Sequence, residues 1–185
     1  MLALQGDFLE HELSLRRLGA EPVEVRLPHD LDGVDALIIP GGESTTMVNL
    51  LDQHGLREPV CSRAAEGMPV WGTCAGMILL ATELVEERPE PLGIMDITVH
   101  RNAYGRQLQS FETALEVPAL GGETVTAVFI RAPAVVATGD GVETLAALPD
   151  GTPVAVRQGN ALATSFHPEL TTDTRFHRYF MEMAA

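Results

Sequence analysis

A chain of 185 residues, 45% hydrophobic and 21% charged, suits one domain with a sizeable core and has the composition of a soluble globular protein. Its formal net charge of -14 excludes a nucleic-acid backbone as the main partner, because phosphate binding needs positive surface. All 12 basic residues are arginine, so this chain supplies neither a Schiff-base amine nor a P-loop lysine. There is no apolar run of eighteen residues and no signal-type N-terminus, so no membrane partner and a cytoplasmic location are expected. Two cysteines, Cys61 and Cys74, do not make a disulfide framework, and the six histidines show no zinc spacing. Neither a metal nor a cofactor is expected.

In chain order, Leu2 to Leu4 reads as a strand, followed by a helix from Asp7 to Leu18 whose apolar periodicity is imperfect and which stops at Gly19. Val23 to Leu27 and Ala36 to Ile39 read as buried strands, the second ending in Pro40-Gly41-Gly42. Helices are expected over Thr45 to Gln53 and Arg57 to Glu66, then a strand at Val70-Trp71 and a helix carrying Ile78, Leu79 and Leu80. The second half offers short strands at Asp96 to Val99, Phe111 to Val117, Val125 to Ile130, Val154 to Val156 and Ala161 to Phe166. A last helix, Thr174 to Met183, puts Phe176, Phe180 and Met183 on one face. This alternation predicts an α/β fold: an open three-layer α/β/α sandwich, its central sheet mostly parallel with antiparallel strands added. Ligands in such sheets bind beyond the carboxyl ends of the strands, where Gly41-Gly42 and Cys74 would lie.

The segment Gly72-Thr73-Cys74-Ala75-Gly76 has the pattern of a nucleophile elbow, with Cys in place of Ser. Small neighbours are needed there because the turn is strained and the following helix packs close. A helix N-terminus favours the thiolate over the thiol, and an imidazole beside it would complete the activation. His167 is the candidate base. It precedes Pro168, which biases it toward extended geometry, so Glu169 two residues on can reach its ring and orient it. Cys74, His167 and Glu169 thus form a candidate catalytic triad. The loop Pro40-Gly41-Gly42-Glu43-Ser44 lacks a phosphate-loop lysine and fits an oxyanion hole better, built from the N–H of Gly42 and the N–H of Ala75. Arg101-Asn102-Ala103-Tyr104-Gly105-Arg106 and Phe129-Ile130-Arg131-Ala132-Pro133 are further polar islands; arginine can bond both oxygens of a carboxylate, or serve in surface ion pairs.

Gly-Thr-Cys-Ala-Gly with Phe-His-Pro-Glu resembles the signature of class I, triad-type glutamine amidotransferases. Leu2-Ala3-Leu4-Gln5-Gly6, Gly41-Gly42-Glu43-Ser44-Thr45-Thr46, Arg101-Asn102 with Tyr104-Gly105-Arg106, Ile130-Arg131-Ala132-Pro133 and His167-Pro168-Glu169-Leu170-Thr171 are similar to the branch that serves pyridoxal 5′-phosphate synthase. The similarity spans the chain and implies a single amidotransferase domain over residues 1–185. It implies that L-glutamine is hydrolysed to glutamate and ammonia through a γ-glutamyl thioester on Cys74. Gly42, Glu43, Ser44, Arg101, Ile130 and Arg131 correspond to the glutamine site. The ammonia would pass to a synthase subunit that makes vitamin B6, in a complex of twelve synthase and twelve glutaminase chains, with Gln5 near the contact. The first strand starts at Met1, where that branch usually has several more apolar residues. The alternatives are a glutaminase of another pathway, such as imidazole glycerol phosphate synthesis, or a non-catalytic interaction protein of the same fold.

Overall fold

The computed structural model describes residues 1–101 and 110–184. Along the chain run α1 (Phe8–Arg17), β1 (Leu37–Ile39), α2 (Ser44–Gln53), α3 (Arg57–Ala65), β2 (Val70–Thr73), α4 (Ala75–Leu80), β3 (Ala81–Leu84) and β4 (Met95–His100). They are followed by β5 (Ser110–Leu115), β6 (Val125–Ile130), β7 (Ala134–Thr138), β8 (Glu143–Ala147), β9 (Pro153–Gln158), β10 (Ala161–Thr164) and α5 (Arg175–Met183). The main sheet has the order β1-β2-β10-β9-β8. β1, β2 and β10 are parallel, with Ile38 opposite Trp71 and Trp71 opposite Leu162, while β9 and β8 continue the sheet antiparallel. A second sheet, β3-β4-β7, and the hairpin β5-β6 complete the β structure.

Strand alternation splits the core into two layers, because successive side chains leave a strand on opposite faces. Leu37, Ile39, Val70, Ala163 and Val156 face one way and pack with Met47 and Leu51 of α2 and Met77 of α4. Ile38, Trp71, Leu162 and Ala155 face the other way, onto Phe129 of β6 and Phe176 and Phe180 of α5. Phe176 and Phe180 are buried as expected, and Met183 packs at the edge of this layer. The result is the expected three-layer α/β arrangement.

Two expected strands shrink to one bridge. Leu2 pairs with Val25 in parallel, Val25 N–H donates to Met1 O at 2.8 Å, and Leu2 N–H donates to Ile38 O at 2.9 Å. The rest of Val23 to Leu27 stays outside the sheet: Val23 and Leu27 are exposed, and Pro22 and Pro28 bracket the segment. Three strands absent from the expectation, β3, β7 and β8, are present.

Candidate active site

Two elements meeting at the ends of parallel strands build the centre of the site. Cys74 follows β2 directly and precedes α4, with φ 48° and ψ -104°, a backbone conformation that an L-residue adopts only under constraint. The glycines beside it explain how the turn closes. A Cβ on Gly72 would overlap the backbone of Gly76, and a Cβ on Gly76 would overlap the carbonyl oxygen of Ile39 in β1. Cys74 N–H donates to Thr164 O of β10 at 2.8 Å, tying the elbow to the neighbouring strand. The thiol is buried, with its sulfur 3.9 Å from the carbonyl oxygen of Ile130.

His167 comes from the turn after β10 and is anchored through its N–H to Val128 O of β6 at 2.9 Å. Its Nδ1 lies 2.7 Å from Glu169 Oε1, which leaves the other ring nitrogen for the sulfur. Burial opposes a charge on this ring. The hydrogen bonds and negative charges of Cys74 and Glu169 outweigh it and push the imidazole up to about 10. Burial also raises the Glu169 carboxyl, and the hydrogen bond and charge of His167 pull against that rise. Cys74, His167 and Glu169, far apart in sequence, therefore form one connected unit with the proton held on the ring at neutral pH.

The glycine loop closes the opposite wall. A Cβ on Gly41 would overlap Cε1 of His167, so the loop backbone lies directly against the imidazole. A Cβ on Gly6, at φ 102°, would overlap the Gly41 carbonyl oxygen more severely still, and Asp7 N–H donates to that oxygen at 3.2 Å. Gln5 accepts from Glu43 N–H at 2.7 Å. Glu43 caps α2: its carboxylate accepts from Thr45 N–H at 3.1 Å and Thr46 N–H at 2.7 Å. The small burial of Glu43 works against its charge, but the bonds from Thr46 and Thr45 win and bring its carboxyl down to about 2. Ser44 starts α2 and is buried.

Gly42, Glu43, Ser44, Cys74, Ala75, Ile78, Arg101, Ile130 and Arg131 together line one cavity of about 120 Å³. Every candidate oxyanion or substrate residue from the sequence is in that set. Arg101 Nη2 donates to Thr45 Oγ1 at 3.2 Å and lies 3.6 Å from Glu43 Oε1. Arg131 holds a positive φ of 44° at the end of β6. Asn102, Ala103, Tyr104, Gly105 and Arg106 of the expected motif lie outside the described residues. Sequence reasoning missed three participants. Ile78 is one helical turn after Cys74 and so shares its face. Asp7 places Oδ2 3.8 Å from His167 Nδ1. His11, in α1, lies 3.3 Å from Glu169 Oε2. Asp7, His167 and Glu169 also form the one group among the described residues whose spacing would admit a metal ion, and within it His167 Nδ1 and Glu169 are bonded to each other. No described helix is long and apolar enough to cross a membrane.

The chain is similar to known proteins over nearly its whole length. A relative from Herpetosiphon aurantiacus, "Pyridoxal 5'-phosphate synthase subunit PdxT", is 60% identical over 184 residues, covering 98% of this chain and 97% of its own. The PdxT of Thermotoga petrophila is 54% identical over 183 residues, covering 99% of this chain and 97% of its own. A crystal structure of a glutamine amidotransferase superposes with a TM-score of 0.93 at 53% identity, covering 99% of this chain and 96% of that one. PurLQS from Thermotoga maritima shares the fold, with a TM-score of 0.74 at 16% identity. The SNO glutamine amidotransferase family matches residues 1–185 from end to end, and the chain belongs to it.

Proposed function

We propose that Cys74, His167 and Glu169 hydrolyse L-glutamine to L-glutamate and ammonia, and that the ammonia supplies pyridoxal 5′-phosphate synthesis. The family membership and the PdxT relatives support the overall activity. The observation that carries the residue roles is the joining of the triad to the cavity that Gly42, Ala75 and Arg101 share. Cys74 sulfur attacks the side-chain amide carbon, and the N–H groups of Gly42 and Ala75 hold the oxygen as it gains charge. The His167 ring gives its proton to the departing ammonia, then takes one from the water that cleaves the γ-glutamyl thioester and returns it to the sulfur. Glu169 keeps the ring oriented throughout. Arg101 and Arg131 face the substrate carboxylate, with Glu43, Ser44 and Ile130 completing the pocket.

The partner is the synthase subunit, which must carry the imine chemistry that a lysine-free chain lacks. Leu9 and Leu13 of α1 are 54% and 57% exposed close to Gln5, an apolar patch suited to that docking. A cytoplasmic complex of twelve chains of each kind is the assembly this reading favours. The test is ammonia release from glutamine by the chain with and without synthase. Cys74→Ala is expected to abolish release while retaining synthase binding by sedimentation. Full ammonia release by that variant would overturn the role of Cys74.

A further inference from the structure

α1 packs Phe8 and Leu15 against the core but buries polar side chains beside them. It turns Leu9 and Leu13 to the outside and buries His11 completely, together with Ser14 and most of Glu12. Placing an imidazole where a leucine could sit has a desolvation cost, so the buried ring needs polar partners. It has them on both sides. His11 Nδ1 is 2.9 Å from Nε2 of His177 on α5. His11 Nε2 is 3.2 Å from Thr73 Oγ1, beside the nucleophile, and 3.3 Å from Glu169 Oε2, behind the base. Trp71 packs edge-on against both rings, with centroids 5.5 Å from His11 and 5.0 Å from His177.

The tautomers follow from charge. Burial keeps both rings neutral, the His11 ring well below its ordinary range and the His177 ring down at about 4. Each therefore carries one N–H, and one of the two must supply the proton between His11 Nδ1 and His177 Nε2. If His11 supplied it, a bare Nε2 lone pair would face the Glu169 carboxylate, and His177 would be left with an N–H on Nδ1, an atom that has no partner. If His177 supplies it, His11 carries its hydrogen on Nε2, between Thr73 Oγ1 and Glu169 Oε2. That arrangement puts a donor against the anion. It also leaves only a lone pair unpaired on His177. Glu169 Oε2 has no well-aligned hydrogen bond among the described residues, and His11 Nε2 approaches it to 3.3 Å.

We propose that His11 is a positioning residue of the hydrolysis: its Nε2–H, fixed by His177, restrains the second oxygen of Glu169 and through it the ring of His167. The inference rests on the triad reading above. Glu169 would otherwise be held at one oxygen and free to pivot about it. With His11 in place, Oε1 stays aimed at His167 Nδ1 as charge moves between ring and substrate.

Steady-state glutaminase kinetics on the full chain with its synthase test this, comparing wild type with His11→Leu, His11→Gln and Cys74→Ala. His11→Leu is expected to lower kcat about 10- to 100-fold, the rate equivalent of one charge-assisted hydrogen bond, with KM within about twofold. The amide N–H of His11→Gln reaches the Nε2 position and restores most of kcat. Wild-type kcat in His11→Leu, or an equal loss in both His11 variants, would overturn the proposal while an inactive Cys74→Ala still upheld the triad. An active Cys74→Ala would remove both. Should His11→Leu not fold, ¹⁵N-histidine spectra of the wild type decide: Nε2–H on both His11 and His177 is expected, and Nδ1–H on His11 sinks the idea.

Discussion

Gly41 has no side chain for a mechanical reason, since its α-carbon faces the edge of the His167 ring. That ring cannot retreat cheaply, being buried and bonded to Glu169 at 2.7 Å. Gly41→Ala is therefore expected to push the imidazole off its line to the sulfur. A displacement of about 1 Å at a reacting group can lower kcat by about 100-fold. The protein should still fold, because the displaced group is one ring rather than a strand. Gly19 supplies the control: it has φ 83° with nothing near a would-be Cβ. Gly19→Ala should cost about 1 kcal/mol in stability and leave kcat untouched. Kinetics and thermal melts of the two variants check this, and a fully active Gly41→Ala would show that the loop yields instead of the ring.

Among the elements, α2 joins the fold to the candidate site because its cap also lines the cavity beside Cys74. Glu43 accepts the Thr45 and Thr46 amides and lies 3.6 Å from the guanidinium of Arg101. Glu43→Ala is expected to lose about 1 kcal/mol from the cap. It should also raise KM for glutamine several-fold as Arg101 loosens, with kcat less affected. A changed melting temperature with unchanged KM would separate the cap from the pocket. What the sequence disclosed divides along similar lines. β1, β2 and β10 were legible because they are buried on both faces, with β1 ending at Pro40-Gly41-Gly42 and β2 at the elbow. The grouping of Cys74, His167 and Glu169 was legible because the elbow and the His-Pro-Glu spacing have chemical meaning. β3 follows α4 with no turn residue between them, β8 is short and alanine-rich, and β7 directly follows the Arg131-Ala132-Pro133 motif, so none gave a separate strand signal. The imperfect periodicity of α1 was a real signal. It marked a polar residue facing inward, but nothing in the sequence names Glu169 as what His11 meets.

The protein as a whole carries a pH dependence set by the histidines that stay neutral when folded. His177 falls from an ordinary 6.5 to about 4 because it is buried, and His11 is also lowered well below its ordinary range, chiefly by burial. Between pH 4 and 6.5 the unfolded chain binds protons at these two positions that the folded chain refuses, so stability rises with pH across that window. Each such group contributes a slope of about 1.4 kcal/mol per pH unit, fully expressed well below pH 6.5 and ending at its folded value. Carboxylates elsewhere add their own acid sensitivity, which a single variant can subtract. His177→Phe keeps an aromatic ring beside Trp71 but leaves His11 Nδ1 unpaired, a loss of about 1 to 3 kcal/mol at pH 7. It cannot take up a proton on unfolding, so its acid limb should be shallower. Denaturant melts at pH 7 and 4.5 should show the difference between wild type and variant moving in the variant's favour by about 2 to 3 kcal/mol at the lower pH, enough to close or reverse it. Parallel stability curves would mean that His177 is charged in the folded protein, and a charged His177 would place a cation behind His11.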